Sequence, residues 1–486
     1  MTTSSPEHVD VLIVGAGLSG IGAACRLQEL CPGKSFALLE ARDVIGGTWD
    51  QFRYPGVRSD SDMYSLGFAF RPWTGRNAIG EGEEILQYIR DTATEHDVER
   101  HIRFGRRVTA AAWSSATARW TLTVERAADG GTEQMTCGFV HWAVGYYHYD
   151  AGHLPEFPGS ERFGGTVIHP QHWPADTDVT GKRVVVIGSG ATAVTLVPAL
   201  AQVAEHVTML QRSPTYIISY PKVDPLARPL LRLLPDRVAH GFLRWKNVAF
   251  TAGTYAMSRR WPKASARAFI WQAKVQLPRG YDVKRHFTPK YNPWTQRLCL
   301  VPNGDLFRSI RRQEASVVTD TIETFTEDGI RLASGEELRA DVIVAATGLR
   351  LLPFGGARLE VDGAPIELED HVLYKGMMLD RVPNLTLAIG YSNASFTLKC
   401  DLTTRYACRL IAHLDDVGLR ACVPSEPDGD VAREPALDLS SGFVQRGIGQ
   451  FPRQGDQAPW RLRQSYPRDL RELLHQPLED GVMSFR

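Results

Sequence analysis

Short β-branched runs that break at glycines, each followed by a helical stretch, set the rhythm of this chain. Residues 9–14 (VDVLIV) are apolar at nearly every position, as a strand buried on both faces of a parallel sheet must be. Residues 15–20 (GAGLSG) follow at once, residues 21–30 have helical character, and residues 35–40 (SFALLE) read as a second strand ending in an acid. That is a complete β-α-β unit. The pattern recurs further along, with a strand at 183–187 (RVVVI), a turn at 188–193 (GSGATA), a helix at 194–204 and a strand at 206–211 (HVTMLQ). Two such units predict two dinucleotide-binding folds.

Between the units, residues 107–126 alternate like antiparallel strands and carry Trp113 and Trp120. Residues 139–145 (FVHWAVG), 341–348 (DVIVAATG) and 384–390 (NLTLAIG) are further buried strands. The simplest topology is α/β, with two Rossmann-like domains and the second inserted into the first. The predicted boundaries are 1–150 for the first part of the outer domain, 151–340 for the inner domain, and 341–486 for the second part of the outer domain with the C-terminal segment. Within the inner domain, residues 222 to about 290 form a helical insertion, with stretches at 229–234, 238–250 and 264–275. Its Arg228, Arg232, Arg237, Arg244, Lys246, Arg259, Arg260, Lys263 and Arg267 outnumber its acids. A solvated helical face is the plain reading. A basic amphipathic surface touching a membrane is the sharper one.

Composition narrows the class. The 486 residues are 43% hydrophobic and 23% charged, an ordinary globular balance, with Lys+Arg and Asp+Glu equal at 55 each. That balance gives no field to steer nucleic acid or an acidic partner. The seven cysteines are scattered without a Cys-x-x-Cys pair, so no disulfide framework and no metal site is expected, and a reducing, cytoplasmic compartment fits. The uncharged run 184–204 is long enough to span a bilayer, but Gly188, Gly190 and Pro198 make it strand, turn and helix.

The glycines carry the first chemistry. In Gly15-x-Gly17-x-x-Gly20 the strand must turn tightly into a helix, Gly17 lets the backbone approach a pyrophosphate, and Gly20 lets helix and strand pack closely. Glu40 closes the following strand, where it can accept from ribose hydroxyls. In Gly188-x-Gly190-x-x-Ala193 the following strand ends without an acid, in Gln211-Arg212. An arginine there suits the 2′-phosphate of NADP. FAD in the first fold and NADPH in the second is the reading, which leaves reductases, amine oxidases and monooxygenases open.

Two longer strings decide among them. One is Phe163-x-Gly165-x-x-x-His169-x-x-x-Trp173-Pro174; the other is Gly46-Gly47-Thr48-Trp49 followed by Tyr54-Pro55-Gly56 and Asp60. Both resemble the fingerprints of Baeyer–Villiger monooxygenases; flavin-containing monooxygenases resemble the first string but lack its Trp-Pro. The likeness covers nearly the whole chain, through RYPGVRSDSDMYSLGFAFRPW, RLCLVPNGDLF and SNASFTLKCDL, and is greatest to the ethionamide-activating branch of that family. It implies FAD, NADPH and dioxygen as reactants, a peroxyflavin oxidant, and a small ketone or sulfide as substrate. It implies FAD contacts at Gly47, Thr48, Trp49 and Asp60. It also implies that Arg297 is the active-site arginine, a cation that stabilises oxygen-borne charge, and that Asp60 pairs with it and orients it. Gln296 stands where many members place a lysine that grips NADP. His169 is read as a structural residue of the inter-domain linker, and Asn393, Ser395 and Lys399 are expected near the flavin ring. The alternative is a nitrogen- or sulfur-oxidising flavin monooxygenase without ketone chemistry.

Overall fold

The computed structural model describes residues 6–437 and 439–486. Its centre is the strand Glu7–Val14, which lies parallel between Phe36–Leu39 and Thr132–Trp142 in a nine-stranded sheet. Thr132–Trp142 also receives Leu385–Leu387, more than 240 residues later, as a parallel neighbour. Arg106–Ser114 and Arg119–Arg126 extend the sheet as an antiparallel ribbon in which Trp113 faces Trp120, and Arg358–Val361 pairs onto its far side. This sheet therefore draws on both ends of the chain. The helix Leu18–Leu30 packs against the 22-residue helix Phe396–Val417 on one face, burying Ile21, Ala24, Leu402 and Tyr406.

The second sheet is five-stranded and all parallel, in the order Ala315–Thr319, His206–Gln211, Arg183–Ile187, Val342–Ala345, Thr166–Ile168. Its core strand RVVVI is buried at four of five positions, as a strand covered on both faces requires. The placement of Val342–Ala345 corrects the boundary expected at 340. This run pairs with Arg183–Ile187, so it closes the inner sheet and does not open the outer domain's second part. An apolar run says that a strand is buried, not which sheet buries it.

Two chain crossings join the lobes. Tyr147–Gly152 leads out of the first sheet and Leu349–Leu351 leads back, and the two pair antiparallel. The expected helical insertion forms Ala227–Leu233, the 25-residue Asp236–Arg260 and Pro262–Gln276. It is not simply a solvated appendage of the inner domain. Arg244 donates to the carbonyls of Tyr64, Ser65 and Gly67 in the outer lobe, and Lys246 pairs with buried Asp224. Among the described residues no helix is long and apolar enough to cross a membrane.

Candidate functional site

The first glycine turn is built from backbone alone. Gly15 has φ +103°, a left-handed conformation that disfavours any side chain, and a Cβ there would lie 2.7 Å from the Ala143 carbonyl oxygen. At Gly20 a Cβ would lie 1.9 Å from the Gly15 carbonyl oxygen. Gly17 precedes the helix Leu18–Leu30 with no side chain capping its first amides, so those N–H groups and the positive end of the helix remain for an anion. A second glycine pair closes over it. Gly46 N–H donates to Ala16 O at 3.1 Å, and a Cβ on Gly47 would meet Gly17 Cα at 3.1 Å and Tyr149 Oη at 3.3 Å. Thr48 begins a short helix at this point, its Oγ1 is 3.5 Å from Tyr149 Oη, and Trp49 is half-buried against the core.

Glu40 stands beside this turn and is buried. One carboxylate oxygen accepts the Ala16 N–H at 2.7 Å and the other accepts the Arg42 N–H at 3.0 Å. Burial raises its pKa, against the pull of those amides and of the Arg42 charge. Each oxygen keeps acceptor capacity for a hydroxyl. The donor set and the Cβ-free cradle fit the pyrophosphate and ribose of a dinucleotide.

The second turn is more open. Gly188 has φ +141° and a Cβ there would lie 2.4 Å from Ala346 O, yet a Cβ on Gly190 would meet nothing within 4 Å. Gly190 precedes the helix Ala191–Leu200, again without a side-chain cap. Ala193 is fully buried where the first turn has Gly20. Arg212 is exposed at the end of its strand and has no ion pair among the described residues, which suits an arriving phosphate.

A charged pair joins the two lobes. Arg297 Nη2 lies 2.6 Å from Asp60 Oδ2, and Arg297 Nη1 donates to Ser392 O at 3.0 Å. Burial alone would lower the arginine pKa; the Asp60 carboxylate, with Tyr146 and Tyr147, outweighs it and raises the value. Both tyrosines are pushed upward, chiefly by burial, so they remain O–H donors. Neither was singled out from the sequence, because each leaves the first sheet far along the chain from Arg297. Tyr146 also lines an apolar pocket with Trp142, Phe354, Leu387, Ile389 and Phe451.

The remaining expectations divide. His169 Nε2 lies 3.3 Å from the Gly348 carbonyl oxygen on the returning crossing, and burial lowers its pKa. Lys399, Asn393 and Ser395, expected near a flavin ring, make these contacts within the protein. Lys399 Nζ is buried 2.7 Å from Asp469 Oδ2, which also takes the Tyr391 hydroxyl at 2.7 Å. Asn393 Nδ2 donates to Gln464 O at 3.0 Å, and Ser395 Oγ lies 2.6 Å from Ser65 Oγ. Lys399 and Asn393 thus tie down the C-terminal segment, and Ser395 ties to the segment after Asp60. Sequence order alone does not show that a strand-following loop faces a helix seventy residues on.

Two anion-ready glycine turns on separate parallel sheets, with a cation–carboxylate pair at their seam, define a two-dinucleotide oxidoreductase. Residues 77–421 match the flavin-binding monooxygenase-like family and residues 13–70 match the NAD(P)-binding Rossmann-like domain; the chain belongs to the flavin-binding monooxygenase-like family. It is 53% identical over 480 residues, 99% of this chain and 98% of the other, to the FAD-containing monooxygenase EthA of Mycobacterium tuberculosis. Among solved structures it is similar to cyclohexanone monooxygenase in its open form, with TM-score 0.72, 23% identity, and 86% of this chain and 90% of that chain covered. It is also similar to an oxidized steroid monooxygenase bound to NADP, with TM-score 0.71, 25% identity, and 86% and 88% covered.

Proposed function

We propose that the protein is an FAD- and NADPH-dependent monooxygenase that inserts one oxygen atom into ketones to give esters and oxidises sulfides or thioamides at sulfur. The Arg297–Asp60 pair at the seam of the two lobes carries this reading. A reductase needs no fixed cation there; an oxygenation that builds negative charge on oxygen does. FAD would be held by Gly15, Gly17, Gly20, Glu40, Gly47, Thr48, Trp49 and Asp60, and NADPH by Gly190 and Arg212 on the turn shaped by Gly188 and Ala193. When both are bound, the reduced flavin supplies an activated oxygen atom from dioxygen.

The chain's own residues do the rest. Asp60 fixes the Arg297 guanidinium, whose raised pKa keeps it charged at every working pH. Tyr146 and Tyr147 stay protonated beside it and add donors without adding negative charge. The pocket of Trp142, Phe354, Leu387, Ile389 and Phe451, which Tyr146 also lines, is mainly apolar and suits an apolar ketone or thioether.

The test is oxygenation by the flavin-loaded chain with NADPH in air, on a panel of ketones and sulfides read by mass spectrometry. Ester from at least one ketone supports the reading. Oxidation of sulfides or amines with no ketone turned over supports the alternative. NADPH loss that yields only peroxide on every substrate overturns both.

A further inference from the structure

The helical insertion wears its apolar side chains on the outside. Eleven of the nineteen large apolar side chains that are exposed among the described residues lie between Leu226 and Val275. They are ordered. On the helix Asp236–Arg260 the exposed positions Val238, Phe242, Trp245, Ala249, Gly253 and Ala256 follow one another at spacings of three and four, which is one helical face. On its other side the helix is anchored, with Ala239, Leu243, Asn247, Val248 and Ser258 buried against the body. A helix that already buries one side against the body and still carries an apolar stripe outside needs a second apolar medium for that stripe, because a water-facing side is ordinarily polar. The helix Pro262–Gln276, packed against it, repeats the arrangement with Ala264, Ala268, Trp271 and Val275, and Trp271 is 64% exposed.

Charge says what that medium is. Residues 222–290 hold fifteen Lys and Arg against three Asp and no Glu, in a chain whose totals are 55 of each. Lys263, Arg267 and Lys274 are exposed along the edge of the Trp271 stripe, and Arg259 and Arg260 end the preceding helix. A second copy of the chain on this face would set two strongly basic surfaces together. An anionic lipid surface complements both features, with tryptophan at the interfacial depth it favours and cations toward the headgroups. We infer that the helices Asp236–Arg260 and Pro262–Gln276 form a peripheral docking face for anionic membranes, lying in the interface and not crossing it.

Flotation of the full flavin-loaded chain with phosphatidylcholine vesicles, with and without phosphatidylglycerol, tests this. The protein is expected to float with the anionic vesicles and to be released by salt. Lys263→Ser with Arg267→Ser should weaken partition about fivefold per charge, about 25-fold for the pair. Phe242→Ser with Trp271→Ser should weaken it about tenfold or more. All four side chains are exposed and lie outside the site described above, so NADPH oxidation in solution should not change in either pair, which shows that the variants fold. The inference fails if the wild type does not float with anionic vesicles, or if both pairs float as it does. It fails equally if sedimentation shows a dimer that Phe242→Ser with Trp271→Ser dissolves while vesicles bind nothing.

Discussion

The turn at residues 15–20 and the turn at residues 188–193 begin alike, with a glycine in left-handed conformation, a carbonyl where its Cβ would be, and an uncapped helix start. They part in their surroundings. The first is roofed by Gly46 and Gly47 and backed by buried Glu40. The second has open space at Gly190 and an exposed Arg212 without an ion pair among the described residues. One cradle suits a resident group and the other a coenzyme that arrives and leaves.

Substitution at the matching glycines breaks this comparison most sharply. Gly17→Val puts a branched side chain between two touching backbones and is expected to give colourless protein without flavin. Gly190→Val meets no protein atom at its Cβ, and should stay yellow while losing NADPH-driven reduction. Absorbance of the purified variants reads both, and a yellow Gly17→Val would equate the two cradles. Next, Arg297→Ala should lower oxygenated product per NADPH by about a hundredfold or more, with peroxide released instead, since removing a preorganised charge partner costs about 10² to 10³ in rate. Near wild-type product would make Arg297 only a link between the lobes.

Arg212→Ala should weaken NADPH by about 10- to 150-fold and leave NADH unchanged, because a hydrogen bond to a charged group contributes about 1.5–3 kcal/mol. Equal losses for both coenzymes would remove the phosphate reading. The smallest effect concerns acid stability. In the second lobe the Arg183 side chain, aided by its backbone N–H, holds Asp341 down to about 2 from 3.8. A lowered carboxylate pKa stabilises the fold above the unfolded value and loses that contribution as pH falls through the folded one. Asp341→Asn should therefore cost about 0.5–1 kcal/mol at neutral pH, the scale of a half-exposed pair. That difference should vanish between pH 3.8 and about 2. Thermal melts across that window measure it; a gap that persists at the acid end would place the cost in packing.

The sheets were legible because buried parallel strands are continuous apolar runs and the turns between them open on a glycine with no room for a Cβ, Gly15 and Gly188, so 9–14, 183–187 and both fingerprints stand out. Asp60 and Arg297 were legible only through the motif likeness, and the structure places them 2.6 Å apart. What escaped depends on distance across the fold. Nothing local marks Arg244 as the guanidinium that reaches three outer-lobe carbonyls, nor Lys399 as the partner of Asp469. The helix Asp236–Arg260 was legible as a stretch over 238–250, but not its full length of 25 residues.

The paired crossings, Tyr147–Gly152 and Leu349–Leu351, govern how the lobes can move. One crossing would act as a swivel, free about every torsion. Two strands laced by hydrogen bonds act as a leaf hinge, which flexes across its plane and resists shear and twist. The His169 ring presses on this leaf where a Cβ at Gly152 would lie 2.0 Å from it, while its Nε2 meets Gly348 O on the other strand. A swing about this leaf would have to release the Arg297–Asp60 pair and the Arg244 contacts, so the same links that hold the seam shut set what any opening costs.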